Sequence, residues 1–184
     1  MKTTDKQIIK AHDLSFQPYL MAETIAERVK ELGENLSEKY AGKNPLLIAI
    51  LNGSFVFAAD LMRCCDMECE VSFVKFSSYE GTGSTGKVKD LIGLNESIKG
   101  RDVIIVEDII DSGKTMVHFL EKLKAHEPGS VSIVTLLLKP DVFGDQFPVD
   151  HVGFEIPNKF VVGYGLDYDG LCRNLADIYQ LHQP

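Results

Sequence analysis

Apolar residues along this chain follow two rhythms. Over residues 20–40 they recur at Leu20, Ile25, Val29, Leu32 and Leu36, close to the 3.6-residue period of a helix with one buried face. Gly33 is the weak point of that stretch, since glycine costs about 1 kcal/mol relative to alanine inside a helix. Elsewhere the apolar residues crowd into blocks of strand length: 46–51 and 103–106 are unbroken, while 71–76 is interrupted by Ser72 and Lys75 and 131–138 by Ser132 and Thr135. Unbroken apolar runs suit strands covered on both faces, as in a parallel sheet. Helices are predicted between them. One starts at Ser54 as N-cap and runs through Phe57 to Met62; another spans 114–125 with Val117, Leu120 and Leu123 on one stripe. A short strand is expected at 90–94 and a turn at Pro128-Gly129. Shorter strands and turns, among them Val161-Val162, follow Pro140.

Strands alternating with helices describe an α/β domain whose central, mostly parallel sheet is flanked by helices. Ligands in such sheets bind beyond the carboxyl ends of the strands. The segments after Leu51, Phe76, Val106 and Leu138 are therefore where chemistry is expected. The one at 77–88, SSYEGTGSTGKV, holds three glycines and several hydroxylated residues with no apolar period, and reads as a mobile loop long enough to have a function.

The stretch 103–116, VIIVEDIIDSGKTM, is the most informative. Its strand leads into Glu107 and Asp108, then to Asp111, Ser112, Gly113, Lys114 and Thr115, where a helix begins. Backbone N–H groups at a helix start, the positive end of the dipole and two hydroxyls make a phosphate cradle. A nucleotide-binding P-loop would need glycine five positions before Gly113, where Asp108 stands, and a carboxylate there repels a triphosphate. A decoy at 81–87 has the P-loop spacing, but Val88 occupies the place of the Mg²⁺-binding Ser or Thr. Adjacent acids at a strand end instead accept hydrogen bonds from sugar hydroxyls or orient a hydrated Mg²⁺. A phosphate cradle beside a diol clamp suits a ribose 5-phosphate.

Composition narrows the setting. Among 184 residues, 19 Lys and Arg stand against 27 Asp and Glu, and the net charge of −8 argues against a nucleic-acid partner. No apolar stretch is long enough for a membrane span, and residues 1–12 make a poor signal peptide. Cys64, Cys65, Cys69 and Cys172 lack the spacing of a disulfide framework or a zinc site, so free thiols in a cytoplasmic protein are expected.

The form EDIIDSGKTM, together with GFEIPNKFVVGYGLDY at 153–168, resembles the hypoxanthine-guanine phosphoribosyltransferases of the type I phosphoribosyltransferase family, in order over about residues 46–173. The resemblance implies a single domain over residues 1–184, with a small hood subdomain formed by the N- and C-terminal segments. It implies transfer of a phosphoribosyl group from phosphoribosyl pyrophosphate to a 6-oxopurine, with Mg²⁺, in a homodimer or homotetramer.

The roles it implies are these. Glu107 and Asp108 contact the ribose hydroxyls and metal, and residues Asp111, Ser112, Gly113, Lys114 and Thr115 hold the 5-phosphate. Asp111 serves as general base toward N7 of the purine. Asn52 and Gly53 bind pyrophosphate through the backbone, with Asn52 in a place where many relatives have Lys. Ser78 and Tyr79 belong to a lid. Lys139 donates to the purine O6, Phe160 stacks on the base and Val161 reads its edge through the backbone. Asp167 helps hold a second Mg²⁺ and Arg173 reaches pyrophosphate. Taken alone, Phe160 reads as a core residue and Lys139 as a solvated one.

Two other classes remain open to the same features. A regulator built on such a domain needs an added basic DNA-binding module, and a P-loop kinase needs a glycine loop that neither candidate supplies. Within the enzyme class, xanthine or another purine is the alternative base.

Overall fold

The computed structural model describes residues 8–77, 89–94 and 96–182. In chain order the elements are β1 (Ile9–Ala11), β2 (Leu14–Leu20), α1 (Ala22–Lys39), β3 (Leu46–Leu51), α2 (Phe55–Cys64), β4 (Glu70–Ser77) and β5 (Lys89–Ile92), then β6 (Asp102–Ile110), α3 (Lys114–Lys124), β7 (Ser130–Leu138), α4 (Pro140–Phe143), β8 (His151–Glu155), β9 (Val161–Val162) and β10 (Ile178–Leu181). The strands form two sheets. The larger has the order β5-β4-β3-β6-β7-β8; β4, β3, β6, β7 and β8 are parallel, and only β5 runs antiparallel, at one edge.

The unbroken apolar runs have the expected cause. Successive residues of a strand point to opposite faces, and here both faces are covered. On one side α1 and α2 pack over Leu47, Ala49, Ile104, Val106, Val134 and Leu136. On the other, α3 packs over Leu46, Ile48, Ile50, Val103, Ile105 and Ile133.

Several local expectations change. The first helix begins at Ala22, because Leu20 ends β2 and the Asp177 carboxylate, far along the chain, accepts the Ala22 N–H at 2.7 Å. Gly33 is no weak point. A β-carbon there would lie 2.7 Å from Cβ of Cys64, so the glycine lets α1 approach the end of α2. Ser54 has helical backbone angles and does not cap α2; its fully buried hydroxyl donates to the Ile50 carbonyl at 2.5 Å. The buried stripe of α3 is Met116, Phe119 and Leu123. The large ring of Phe119 takes the core position against Phe76, centroids 5.0 Å apart, and turns Val117 away.

The most consequential change is in β6, which runs on past Val106 to Ile110. Glu107 pairs with Thr135, Ile109 with Leu137 and Ile110 with Leu138. The apolar length of β7 holds the two acids within the sheet rather than in a loop. The cysteines are free, and burial pushes the Cys65 thiol up to about 11.

The smaller sheet draws on both ends of the chain. Its order is β1-β2-β10-β9, all antiparallel, around Ala11, Phe16, Val162 and Tyr179.

Candidate active site

Beyond the carboxyl ends of β3, β6 and β7 the two sheets share a cleft of about 460 Å³. Every site residue expected from the sequence lines it, except Ser78 and Tyr79, which lie outside the described residues. Asn52 and Gly53 come from the turn between β3 and α2, and the peptide bond between Leu51 and Asn52 is cis. Glu107 and Asp108 come from the end of β6. Asp111, Ser112, Gly113, Lys114 and Thr115 form the turn into α3, Lys139 follows β7, and Phe160 and Val161 come from the small sheet. Asp167 and Arg173 come from the segment after β9.

Asp108 is buried and lies directly on Gly53. A β-carbon at residue 53 would come within 2.5 Å of the Asp108 carboxylate carbon, so only glycine lets the turn and the acid meet. Oε2 of Glu107 is buried without a hydrogen-bond partner. Burial pushes the Glu107 carboxyl well above the usual range, and the neighbouring Asp108 charge adds to this. Burial likewise raises Asp108, to about 6, against hydrogen bonds that include one from Glu107 and the pull of Arg173. The pair is thus short of positive charge and of a donor. A divalent cation, or sugar hydroxyls, would supply what the Glu107 oxygen lacks. Among the described residues no three His, Cys, Asp or Glu side chains gather as a metal cage.

At the start of α3, Gly113 has φ +69°, a left-handed backbone that favours glycine, and no side chain caps the helix. The Ser112 carbonyl accepts from the Gln146 amide at 2.6 Å, which fixes the turn from behind. Lys139, only 6% exposed, donates from Nζ to Oδ2 of Asp111 at 2.9 Å. It is not the solvated lysine that its place at a strand end suggests. Phe160 also departs from its stand-alone reading, being 41% exposed with its ring at the cleft wall. Val161 is buried on β9.

Arg173 donates to the Gly165 carbonyl and pairs with Oδ1 of Asp167, each at 2.7 Å. The other Asp167 oxygen accepts the Gly170 N–H at 2.7 Å. Both Asp167 oxygens are thus engaged, and of the three acids expected to meet metal, the unfilled position is at Glu107.

Sequence reasoning missed the apolar lining: Phe76, Ile110, Met116 and Leu166 also face the cleft. For Ile110 a signal existed. It lies two residues after Asp108, on the same side of a strand, once β6 is known to continue.

The mostly parallel sheet, the glycine turn into α3, the buried acid pair and the second sheet meeting them at one cleft are the frame of a phosphoribosyltransferase enzyme, and comparison with known proteins gives the same class. Residues 18–169 match the phosphoribosyl transferase domain family. The hypoxanthine-guanine phosphoribosyltransferase of Lactococcus lactis is 49% identical over 154 residues, spanning 83% of this chain and 84% of that protein. The bifunctional protein TilS/HprT of Listeria monocytogenes is 45% identical over 155 residues, which make up 84% of this chain and 24% of that longer protein. A crystal structure of the hypoxanthine phosphoribosyltransferase from Staphylococcus aureus aligns with TM-score 0.85 and 41% identity, over 90% of this chain and 91% of that one. This chain belongs to the phosphoribosyltransferase family, on the branch of the hypoxanthine-guanine phosphoribosyltransferases.

Proposed function

We propose that this protein is a purine salvage enzyme. It transfers the 5-phosphoribosyl group from 5-phospho-α-D-ribose 1-diphosphate to N9 of hypoxanthine, and of guanine, giving IMP or GMP and pyrophosphate. The observation that carries this reading is the gathering of a helix-start cradle, a cation-deficient acid pair and a buried Lys139–Asp111 pair in one cleft.

The 5-phosphate sits at residues 111–115, held by backbone N–H groups and the hydroxyls of Ser112 and Thr115. Glu107 and Asp108 hold the ribose hydroxyls and Mg²⁺. Mg²⁺, when bound, supplies the positive charge that the acid pair lacks and that a departing pyrophosphate requires. Asn52 and Gly53 present backbone groups to pyrophosphate, Arg173 adds its positive charge, and Asp167 would help hold a second Mg²⁺. The base lies against Phe160, with Lys139 donating to O6, Val161 reading the edge and Asp111 holding the proton at N7. Holding the two reactants in contact and stabilising the departing pyrophosphate together contribute most of the acceleration.

The chain works as a single domain, with the four-stranded sheet as its hood. Phe55 and Met62 on α2 and Val71 and Phe73 on β4, between 36% and 43% exposed, support assembly as a homodimer or homotetramer. Free cysteines support a reducing, cytoplasmic location. The test is a spectrophotometric assay with phosphoribosyl pyrophosphate, Mg²⁺ and hypoxanthine, guanine, xanthine or adenine in turn. Nucleotide is expected from hypoxanthine and guanine. No nucleotide from any base overturns the reading, and xanthine as the sole substrate shifts it.

A further inference from the structure

Phe160 is a poorly supported side chain for a wall of a binding site. It stands just before a two-residue strand, and its carbonyl accepts the Leu181 N–H of the small sheet at 2.8 Å. Its ring is 41% exposed. A side chain so placed keeps rotameric freedom unless other groups remove it, and binding a flat ligand against it then costs the entropy of fixing it.

Two rings do the fixing. Phe16 of β2, fully buried, lies 5.9 Å from the Phe160 centroid, and Tyr168 lies 5.7 Å away, edge to face at 82°. Phe16 and Tyr168 are themselves 6.1 Å apart, so the three rings close a triangle. Offset and edge-on pairs at these separations are the favoured arrangements of aromatic quadrupoles.

Tyr168 needs its own anchor, because it lies on a turn closed by backbone hydrogen bonds with Leu171 in both directions. The anchor is the hairpin between β1 and β2. The Tyr168 hydroxyl donates to Oδ1 of Asp13 at 2.6 Å, and the His12 ring packs against the Tyr168 ring at 5.5 Å. This bond holds Asp13 below the usual carboxylate range and Tyr168 above the usual phenol, as expected of a neutral phenol donating to an ionised acid. Asp167, the residue before Tyr168, lines the cleft; Tyr168 does not.

We propose that Tyr168, tethered by Asp13, is a positioning residue for the purine base: it fixes the plane of Phe160 and so sets affinity for the base without touching it. The inference rests on the reading of Phe160 as the wall on which the base stacks. The N-terminal hairpin is then part of the purine site, and a bond between residues 155 positions apart tunes only one of the two substrates.

The test is steady-state kinetics on Y168L, Y168F, D13A, the double variant D13A/Y168F and the control F160L, with hypoxanthine and phosphoribosyl pyrophosphate each varied. Loss of the ring in Y168L raises KM for hypoxanthine about threefold to tenfold, the worth of an aromatic pair. Y168F and D13A raise it about twofold to threefold, and the double variant is no worse than either single, because both delete one bond. kcat and KM for phosphoribosyl pyrophosphate stay within about twofold in the Tyr168 and Asp13 variants, a split that simple loosening of the fold does not produce. An unchanged hypoxanthine KM in Y168L, or a parallel rise in both KM values, overturns the proposal. If loss of the ring unfolds the small sheet, Y168F and D13A decide the question by the same criteria. F160L separates the two levels of the argument. If it raises hypoxanthine KM while Y168L does not, the positioning role alone fails; if it too has no effect, the stacking role of Phe160 falls and takes this inference with it.

Discussion

Nζ of Lys139 lies 2.9 Å from Oδ2 of Asp111, joining a side chain that is 7% exposed to one that is 50% exposed. The two come from different strands. Lys139 follows β7 and Asp111 follows β6, and the Lys139 N–H donates to the Ile110 carbonyl at 3.0 Å. The parallel pairing of β6 with β7 thus continues beyond the last residues of both strands, and the ion pair is set by the sheet rather than by a flexible loop. A buried ammonium needs an acceptor, and Asp111 supplies it. In the proposed reaction a 6-oxopurine brings a second acceptor, O6, to the same ammonium while Asp111 turns to N7.

Asp111→Asn tests this directly. The substitution keeps the shape of the cradle and the backbone N–H groups, and removes the base. We expect kcat with hypoxanthine to fall about 10²-fold or more, with binding of phosphoribosyl pyrophosphate nearly unchanged. Stability should fall by only about 1 kcal/mol, since Asp111 is half exposed and the amide oxygen still accepts from Lys139. Initial rates and a binding titration measure both. Near-normal turnover would show that Asp111 is not the base.

The acid pair predicts how stability depends on pH. Glu107 and Asp108 both have folded-state carboxyls raised above their ordinary range, Asp108 to about 6. Between the ordinary range and that value the folded protein holds protons that the unfolded chain has released. Stability of the ligand-free protein therefore falls as pH rises from about 4 through about 6. Glu107→Gln replaces the more strongly raised of the two groups by one that does not titrate, and should flatten the dependence of Tm on pH across this range. The same substitution should weaken Mg²⁺-phosphoribosyl pyrophosphate binding. Thermal melts across pH 4–8 check the first point; equal slopes for the two proteins would count against strain in the pair.

Most of this architecture is legible in the sequence for one physical reason. Residues 46–50 and 132–138 are buried on both faces of the sheet, so these mainly apolar runs cannot be anything amphipathic. The turn at 111–115 into α3 is legible because glycine and hydroxylated residues stand where the apolar strand ends. What the sequence hides is contact between distant segments. Ser54 looks like a cap until the Ile50 carbonyl takes its hydroxyl, and Lys139 looks solvated until Asp111 arrives from the next strand. The length of β6 is hidden too, because Glu107 and Asp108 read as the end of an apolar run, while their pairing is decided by β7.

Gly53 marks such a contact. A methyl group at this position would overlap the Asp108 carboxylate, with the carboxylate carbon only 2.5 Å away. Gly53→Ala must therefore push the turn before α2 away from the acid pair. Overlap of this kind costs about 1–3 kcal/mol. We expect a loss of activity carried mainly by KM for phosphoribosyl pyrophosphate, with hypoxanthine KM less affected. A variant with unchanged kinetics would show that the turn and the acid can part without loss, and that their contact is not part of the site.

Gly33→Ala sets two effects of opposite sign against each other. Helix propensity alone favours alanine at a mid-helix position by about 1 kcal/mol. Against this, the new β-carbon would lie 2.7 Å from both Cβ and the carbonyl oxygen of Cys64, inside any allowed contact distance. Neither atom can yield easily, since one is backbone and the other is held by it at the end of α2. Moving α1 outward would also lift Ile25, Val29, Leu32 and Leu36 from the sheet, all of them buried. Overpacking of a tight helix contact costs about 1–3 kcal/mol and should win. Denaturant melts of Gly33→Ala should show a net loss of stability of up to about 2 kcal/mol by the difference of these terms, with kinetic constants little changed because the cleft lies beyond the carboxyl ends of β3, β6 and β7. A gain in stability would mean that α1 and α2 are free to separate.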